Sequence, residues 1–228
     1  MQQRVFSVPA ILIISMLSGG CGGDEAKYEP KPAVSGQKAA LPDVPNVPKA
    51  PLKNGDNYSV WGASYSLRSR VHRESIAGKK ISISGYITKT NLAEAPECAV
   101  HKAGKADEEN CKPPVPTFWT ADKKDAPESE SMKVLGWASN YAQIFEAIKA
   151  YDKDEKAEYT DEFWAAPLPN PLPGPGAKVT VTGTYSTTFV GASAGAEADP
   201  IMGILHYEKM QYQEPPPEKA TLPGLKRK

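Results

Sequence analysis

Three residues in one loop have side chains that could do chemistry: Cys98, His101 and Cys111. Thiolates and an imidazole are ligands that zinc accepts, and two cysteines are also all that a disulfide requires. No paired Cys-x2-Cys is present, and the only close couple is Cys98 with His101. The disulfide is therefore the leading reading, and a metal site from Cys98, His101 and Cys111, with Asp107 as a further donor, is the alternative. Covalent haem is disfavoured, since Cys-x-x-Cys-His does not occur. The stretch from Asp152 to Phe163 fails as a calcium loop, because Ala157 replaces the glycine, Lys156 takes a ligand position and Phe163 stands where the bidentate glutamate belongs. There is no Gly-x-Ser-x-Gly elbow, phosphate loop or His-Glu-x-x-His, and the only other histidines are His72 and His206. The expectation is that the protein is not an enzyme and carries no cofactor.

Aromatic residues follow the loop. Phe118, Trp119 and Trp137 lie in extended segments, where they could stack a planar ligand, with His101 presented beside them. A basic cluster, Arg68, Arg70, His72 and Arg73, is the one concentrated positive patch, read here as a solvated face. The chain has 27 basic and 27 acidic residues, and its first twenty residues carry only Arg4. Without them the net charge is −1. That balance argues against a non-specific nucleic-acid binder, which needs a basic face to displace counterions from phosphates.

The elements that must position these groups begin after a long approach. Residues 1–20 read as a signal peptide: Arg4, an apolar core from Val5 to Leu17, then small residues up to Cys21. Leu17-Ser-Gly-Gly-Cys21 resembles the lipobox of bacterial lipoproteins, although Leu17 stands four residues before the cysteine rather than three. The resemblance implies that Cys21 becomes the lipidated first residue, that the chain is held in the cell envelope, and that the domain faces the periplasm or the cell surface. By the same resemblance Gly22 favours the outer membrane over the inner. Removing Cys21 leaves two cysteines in an oxidising compartment, which supports pairing Cys98 with Cys111.

Residues 21–56 read as a lipidated cysteine and a tether, with Pro30, Pro32, Pro42, Pro45, Pro48 and Pro51 among small and charged residues. The domain is expected over 57–213. Tyr58–Leu67 has the aromatic and β-branched content of a strand, and Ile81, Ile83 and Ile87 keep a period of two around Gly85. Strands are also expected at 117–120 and 132–137. Asn140 caps a helix whose Tyr141, Ile144, Phe145 and Ile148 fall on one face. Residues 152–176 read as an insertion outside the core, shortened at little cost. Val179 and Val181 mark the next strand, a Gly/Ala-rich loop spans Gly191–Gly203, and Ile204–Tyr212 is the last strand. The tail, 214–228, is expected to be disordered.

Five strands with one helix between the third and fourth is the order of the OB-fold, a small Greek-key barrel. A β-sandwich is the runner-up, but it would not require a helix there. The segments Gly78-Lys-Lys-Ile-Ser-Ile-Ser-Gly-Tyr-Ile, Val179-Thr-Val-Thr-Gly-Thr-Tyr and Gly203-Ile-Leu-His-Tyr-Glu resemble strands of anticodon-binding-like OB domains in exported bacterial proteins. In that family ligands lie on the second and third strands, which implies Phe118, Trp119, Trp137, the Cys98–Cys111 loop and the Gly191–Gly203 loop here. The expected function is a binding or assembly module on a lipid anchor, with an envelope protein or small ligand as partner. The alternative is a metal-binding envelope protein or metal-dependent enzyme built on the Cys/His loop.

Overall fold

The computed structural model describes residues 51–191, 195–198 and 202–225. The expected signal peptide, Cys21 and all but the last few residues of the expected tether lie outside them. A short antiparallel pair opens the described chain, β1 (Lys53–Asn54) with β2 (Asn57–Ser59). The strand expected over Tyr58–Leu67 then gives way to a helix, α1 (Val60–Arg68). Its cause is capping rather than propensity. Ser59 Oγ accepts from the Gly62 N–H at 2.9 Å, while the Asp122 carboxylate accepts from the Val60 and Trp61 N–H groups at 2.8 and 2.9 Å. Three of the helix's orphan donors are thereby satisfied by an N-cap and by an anion against the positive end of the dipole. Val60, Ala63 and Leu67 sit at i, i+3 and i+7 and all enter the core. Asp122→Ala should lower unfolding free energy by about 2 kcal/mol, read from urea melts, because it removes two charge-assisted bonds at once.

A short helix, α2 (Arg73–Ile76), turns the chain into β3 (Lys80–Thr90), whose Ile81, Ile83 and Ile87 are buried as the alternation requires. β3 runs antiparallel to β4 (Phe118–Ala121), and β4 antiparallel to β5 (Met132–Leu135). The expected helix follows as α3 (Tyr141–Lys153), with Asn140 Oδ1 accepting from the Gln143 N–H at 3.0 Å. Then come β6 (Tyr159–Thr160) and β7 (Pro167–Leu168), paired with each other. β8 (Lys178–Ser186) returns antiparallel to β3. β9 (Thr188–Gly191) and β10 (Gly195–Ala198) pair antiparallel, and β10 lies inside the stretch expected as a Gly/Ala-rich loop. β11 (Ile204–Glu214) pairs antiparallel with β8 and parallel with β5.

Each of β3, β4, β5, β8 and β11 thus has a strand on both sides. The domain is mainly β, with α3 between the third and fourth of these strands, and this arrangement is OB-like. Two mid-strand glycines make the tight crossings possible. A Cβ on Gly183 would lie 2.1 Å from the His206 carbonyl oxygen, and one on Gly85 would lie 2.7 Å from that of Ala121.

Two expectations are corrected by burial. The segment 152–176 is not a detachable insertion, because Leu168, Leu172 and Asp161 are buried and the two leucines belong to the main core. The tail is described through residue 225, and Leu222 is buried in the same core. In each case one or two leucines among prolines supply enough apolar surface to dock a stretch whose composition reads as a linker.

Candidate functional site

Cys98 and Cys111 are joined as a disulfide, with Cα atoms 5.9 Å apart. Sulfurs bonded to one another are not thiolates, so the zinc alternative loses two of its ligands. His101 is not presented to solvent. Its side chain is 12% exposed, its Nε2 lies 2.8 Å from Asp107 Oδ1 and its Nδ1 lies 3.0 Å from the Lys102 carbonyl oxygen. The imidazole ties the disulfide loop together from inside. Ala103 N–H donates to Glu146 on α3 at 3.2 Å, fastening the loop to the helix. No group of three or more metal-ligating side chains occurs among the described residues.

The aromatic platform also dissolves into packing. Phe118 and Trp137 are fully buried and meet edge to face, ring centroids 6.1 Å apart. Trp119 is buried too, on the opposite side of β4. Lys89 lies over its ring at 4.8 Å, held there by Glu94 and Glu128 at 3.5 and 3.4 Å. On that outer side Leu135 and Ile204 form a small second cluster, against which Val115 and Trp164 pack. Val115 and Trp164, both half-buried, thus cover part of the outer face of β5 and β11. The segment that brings Trp164 there is pinned by Asp161. Its buried carboxylate accepts from the Ser139 N–H at 2.7 Å, the Phe163 N–H at 2.9 Å and the Trp164 N–H at 3.0 Å.

An open concavity lies elsewhere. A cleft of about 460 Å³ runs between α3, the 170–172 turn and the tail, lined by Ile148, Tyr151, Leu172, Pro171, Pro215 and Ala220. Asp152, Glu155, Asn170 and Lys219 provide its polar groups. Lys219 Nζ is 3.2 Å from Glu155 Oε1, so the tail is also held across the cleft by charge. Its volume and mostly apolar lining suit a small ligand with an apolar body. Sequence reading missed it because all of its lining residues but Ile148 and Tyr151 come from the two stretches that read as an insertion and a tail. The usable signals were Leu172 and Ala220 to Leu222, apolar residues inside proline-rich runs.

Three tyrosines build the cleft's floor and surroundings. Tyr151 Oη donates to the Leu168 carbonyl at 3.0 Å, Tyr207 Oη to that of Pro167 at 3.1 Å, and Tyr212 Oη to that of Pro171 at 2.8 Å. Burial pushes the Tyr151 hydroxyl up to about 12 and raises those of Tyr207 and Tyr212 as well. In the unfolded chain these phenols ionise near pH 10. Folding stability is therefore full below about pH 10 and declines as pH rises towards the folded values, because only the unfolded state gives up the protons. The share of tyrosinate absorbance that belongs to these three rings, assigned by Tyr→Phe variants, should appear together with loss of the fold in an alkaline titration, not before it.

No protein-family model matches the chain. No curated protein matches it either. Among solved structures, the OBody AM1L10 bound to hen egg-white lysozyme is 10% identical, with a TM-score of 0.26, and 62% of this chain and 85% of that one are covered. A putative aspartyl-tRNA synthetase from Leishmania major Friedlin is 12% identical with a TM-score of 0.30, covering 72% of this chain and 23% of that one. The asparaginyl-tRNA synthetase from Pyrococcus horikoshii is 15% identical with a TM-score of 0.24, covering 61% and 21% respectively. This chain thus spans less than a quarter of either synthetase. No ligand or activity is transferred from likenesses this distant. The class of the domain rests on its own strand pairings and helix position: it is an OB-like domain.

Proposed function

We propose that the chain is a lipid-anchored cell-envelope protein whose five main strands close as a Greek-key OB barrel, and that this domain is a binding module taking its ligand in the cleft below α3. The observation that carries the binding site is the cleft itself: about 460 Å³, with an apolar lining and carboxylates at Asp152 and Glu155. Val115 and Trp164 cover part of the usual OB face, and the cleft offers the larger apolar concavity. A small molecule with an apolar body, or a short extended segment of an envelope protein, fits such a lining. Neither nucleic acid nor metal is required.

The anchor rests on Arg4, the apolar core and Leu17-Ser-Gly-Gly-Cys21. Its place is the envelope, with Gly22 favouring the outer membrane. Cys21→Ala should yield an uncleaved or soluble product that no longer takes up labelled fatty acid; unchanged labelling and membrane association would sink the anchor. The cleft is tested by Ala220→Trp, which fills it from the tail. Protein isolated from envelope extract should carry a small molecule or peptide in native mass spectrometry, and the variant should carry at least tenfold less. Equal loading of both proteins, or empty wild type, would remove the cleft from the reading.

A further inference from the structure

The exposed residues of α1 and its following turn do not belong to the cleft or to the barrel's outer face. Trp61, Tyr65 and Arg68 stand at i, i+4 and i+7, the side of α1 opposite buried Val60, Ala63 and Leu67. The two aromatic rings stack, with centroids 5.2 Å apart, and Tyr65 is 48% exposed. The turn then displays Arg70, Val71, His72 and Arg73, and Val71 is 82% exposed. From Trp61 to Lys80 the chain has five basic residues and one acidic, Glu74. Lys80 is paired with Glu208, whereas Arg70, Arg73 and Lys79 make no ion pair among the described residues.

We propose that this face, Trp61, Tyr65, Arg70, Val71 and Arg73, docks the domain on an anionic lipid surface. Stacked amphipathic rings, an extruded valine and unpaired guanidinium groups are the combination that inserts into a headgroup layer: aromatics at the interface, a short apolar side chain below it, cations on the phosphates. The place where the chain enters the domain points the same way. Ser59, the N-cap of α1, donates from its Oγ to the Pro51 carbonyl at 2.8 Å and from its backbone N–H to the Leu52 carbonyl at 3.1 Å. The described chain therefore begins beside the N-terminal end of the helix that bears the patch, and the sequence that leads back to Cys21 continues from there. A nucleic acid would use the same cations but has no use for Val71, and the near-neutral balance of the whole chain argues against it.

The choice of a membrane as occupant rests on the anchored reading, but the test does not use the lipid. Residues 22–228, which retain every described residue and lack Cys21, are sedimented with vesicles of phosphatidylcholine alone and with vesicles containing one-third phosphatidylglycerol. Binding is expected only to the anionic vesicles and should weaken steeply with salt. R70E/R73E should lower that binding at least tenfold and V71D about threefold, with melting temperatures unchanged because all three side chains are exposed. Failure of the parent to bind anionic vesicles, or variants that bind as well as the parent, would overturn the proposal. So would binding of a single-stranded oligonucleotide without binding of vesicles. Fatty-acid labelling reports on Cys21 separately, so loss of the anchor and loss of the patch are distinguishable.

Discussion

Replacing residues 157–171 by a short Gly/Ser linker is expected to abolish cooperative folding, not to trim a surface loop. The exchange removes the Leu168, Pro167 and Pro171 carbonyls that accept from Tyr151, Tyr207 and Tyr212. Each orphaned buried hydroxyl costs about 1–3 kcal/mol. It also takes Leu168 out of the core, another ~2–3 kcal/mol, and deletes Asp161, which leaves the Ser139 N–H without its acceptor. Together these losses match the whole stability of an ordinary domain, about 5–15 kcal/mol. Loop-closure entropy is minor beside them, since it changes only slowly with length. Circular dichroism and urea titration give the readout. A folded variant within a few degrees of the parent would show that the segment is a true insertion after all.

Breaking the Cys98–Cys111 bond is the second large effect. The two cysteines are 13 positions apart in sequence, and releasing the loop should cost about 2–5 kcal/mol. The loop carries buried Ala99 and half-buried Cys111 against the main core, so it loosens its own packing when opened. Cys98→Ser/Cys111→Ser should melt lower than the parent, and a reductant should bring the parent down to the variant. The native mass should be two hydrogens lighter than the reduced one, with chelators without effect. Two free thiols and stoichiometric zinc would overturn the staple and turn His101 into a ligand.

Local pattern was enough for much of the fold. Ile81, Ile83 and Ile87 alternate and Val179 and Val181 do likewise, and a period of two has only one way to bury a face. Asn140 followed by Tyr141, Ile144 and Ile148 defines a capped amphipathic helix without help from anywhere else. The order of these elements, with a helix between the third and fourth long strands, is what made an OB-like domain legible, and Gly85 and Gly183 mark the crossings where no Cβ fits. Cysteine parity pointed to the Cys98–Cys111 pair.

The tertiary structure decided the rest, wherever a distant partner outweighs local composition. Tyr58–Leu67 reads as a strand, yet Asp122, brought alongside by β4, caps residues 60 and 61 into a helix. Phe118 and Trp137 read as a stacking platform, but whether an aromatic in a strand faces ligand or core depends on which side the sheet curls towards. His101 reads as presented until Asp107 and the Lys102 carbonyl are found beside it. The proline-rich stretches around Leu172 and Leu222 read as linkers because burial of one leucine is a pairwise matter: the core that receives it is built by residues far away in sequence. What the sequence by itself determined was periodicity, capping and cysteine number. Where the cleft beside α3 lies was decided only when those distant elements came together.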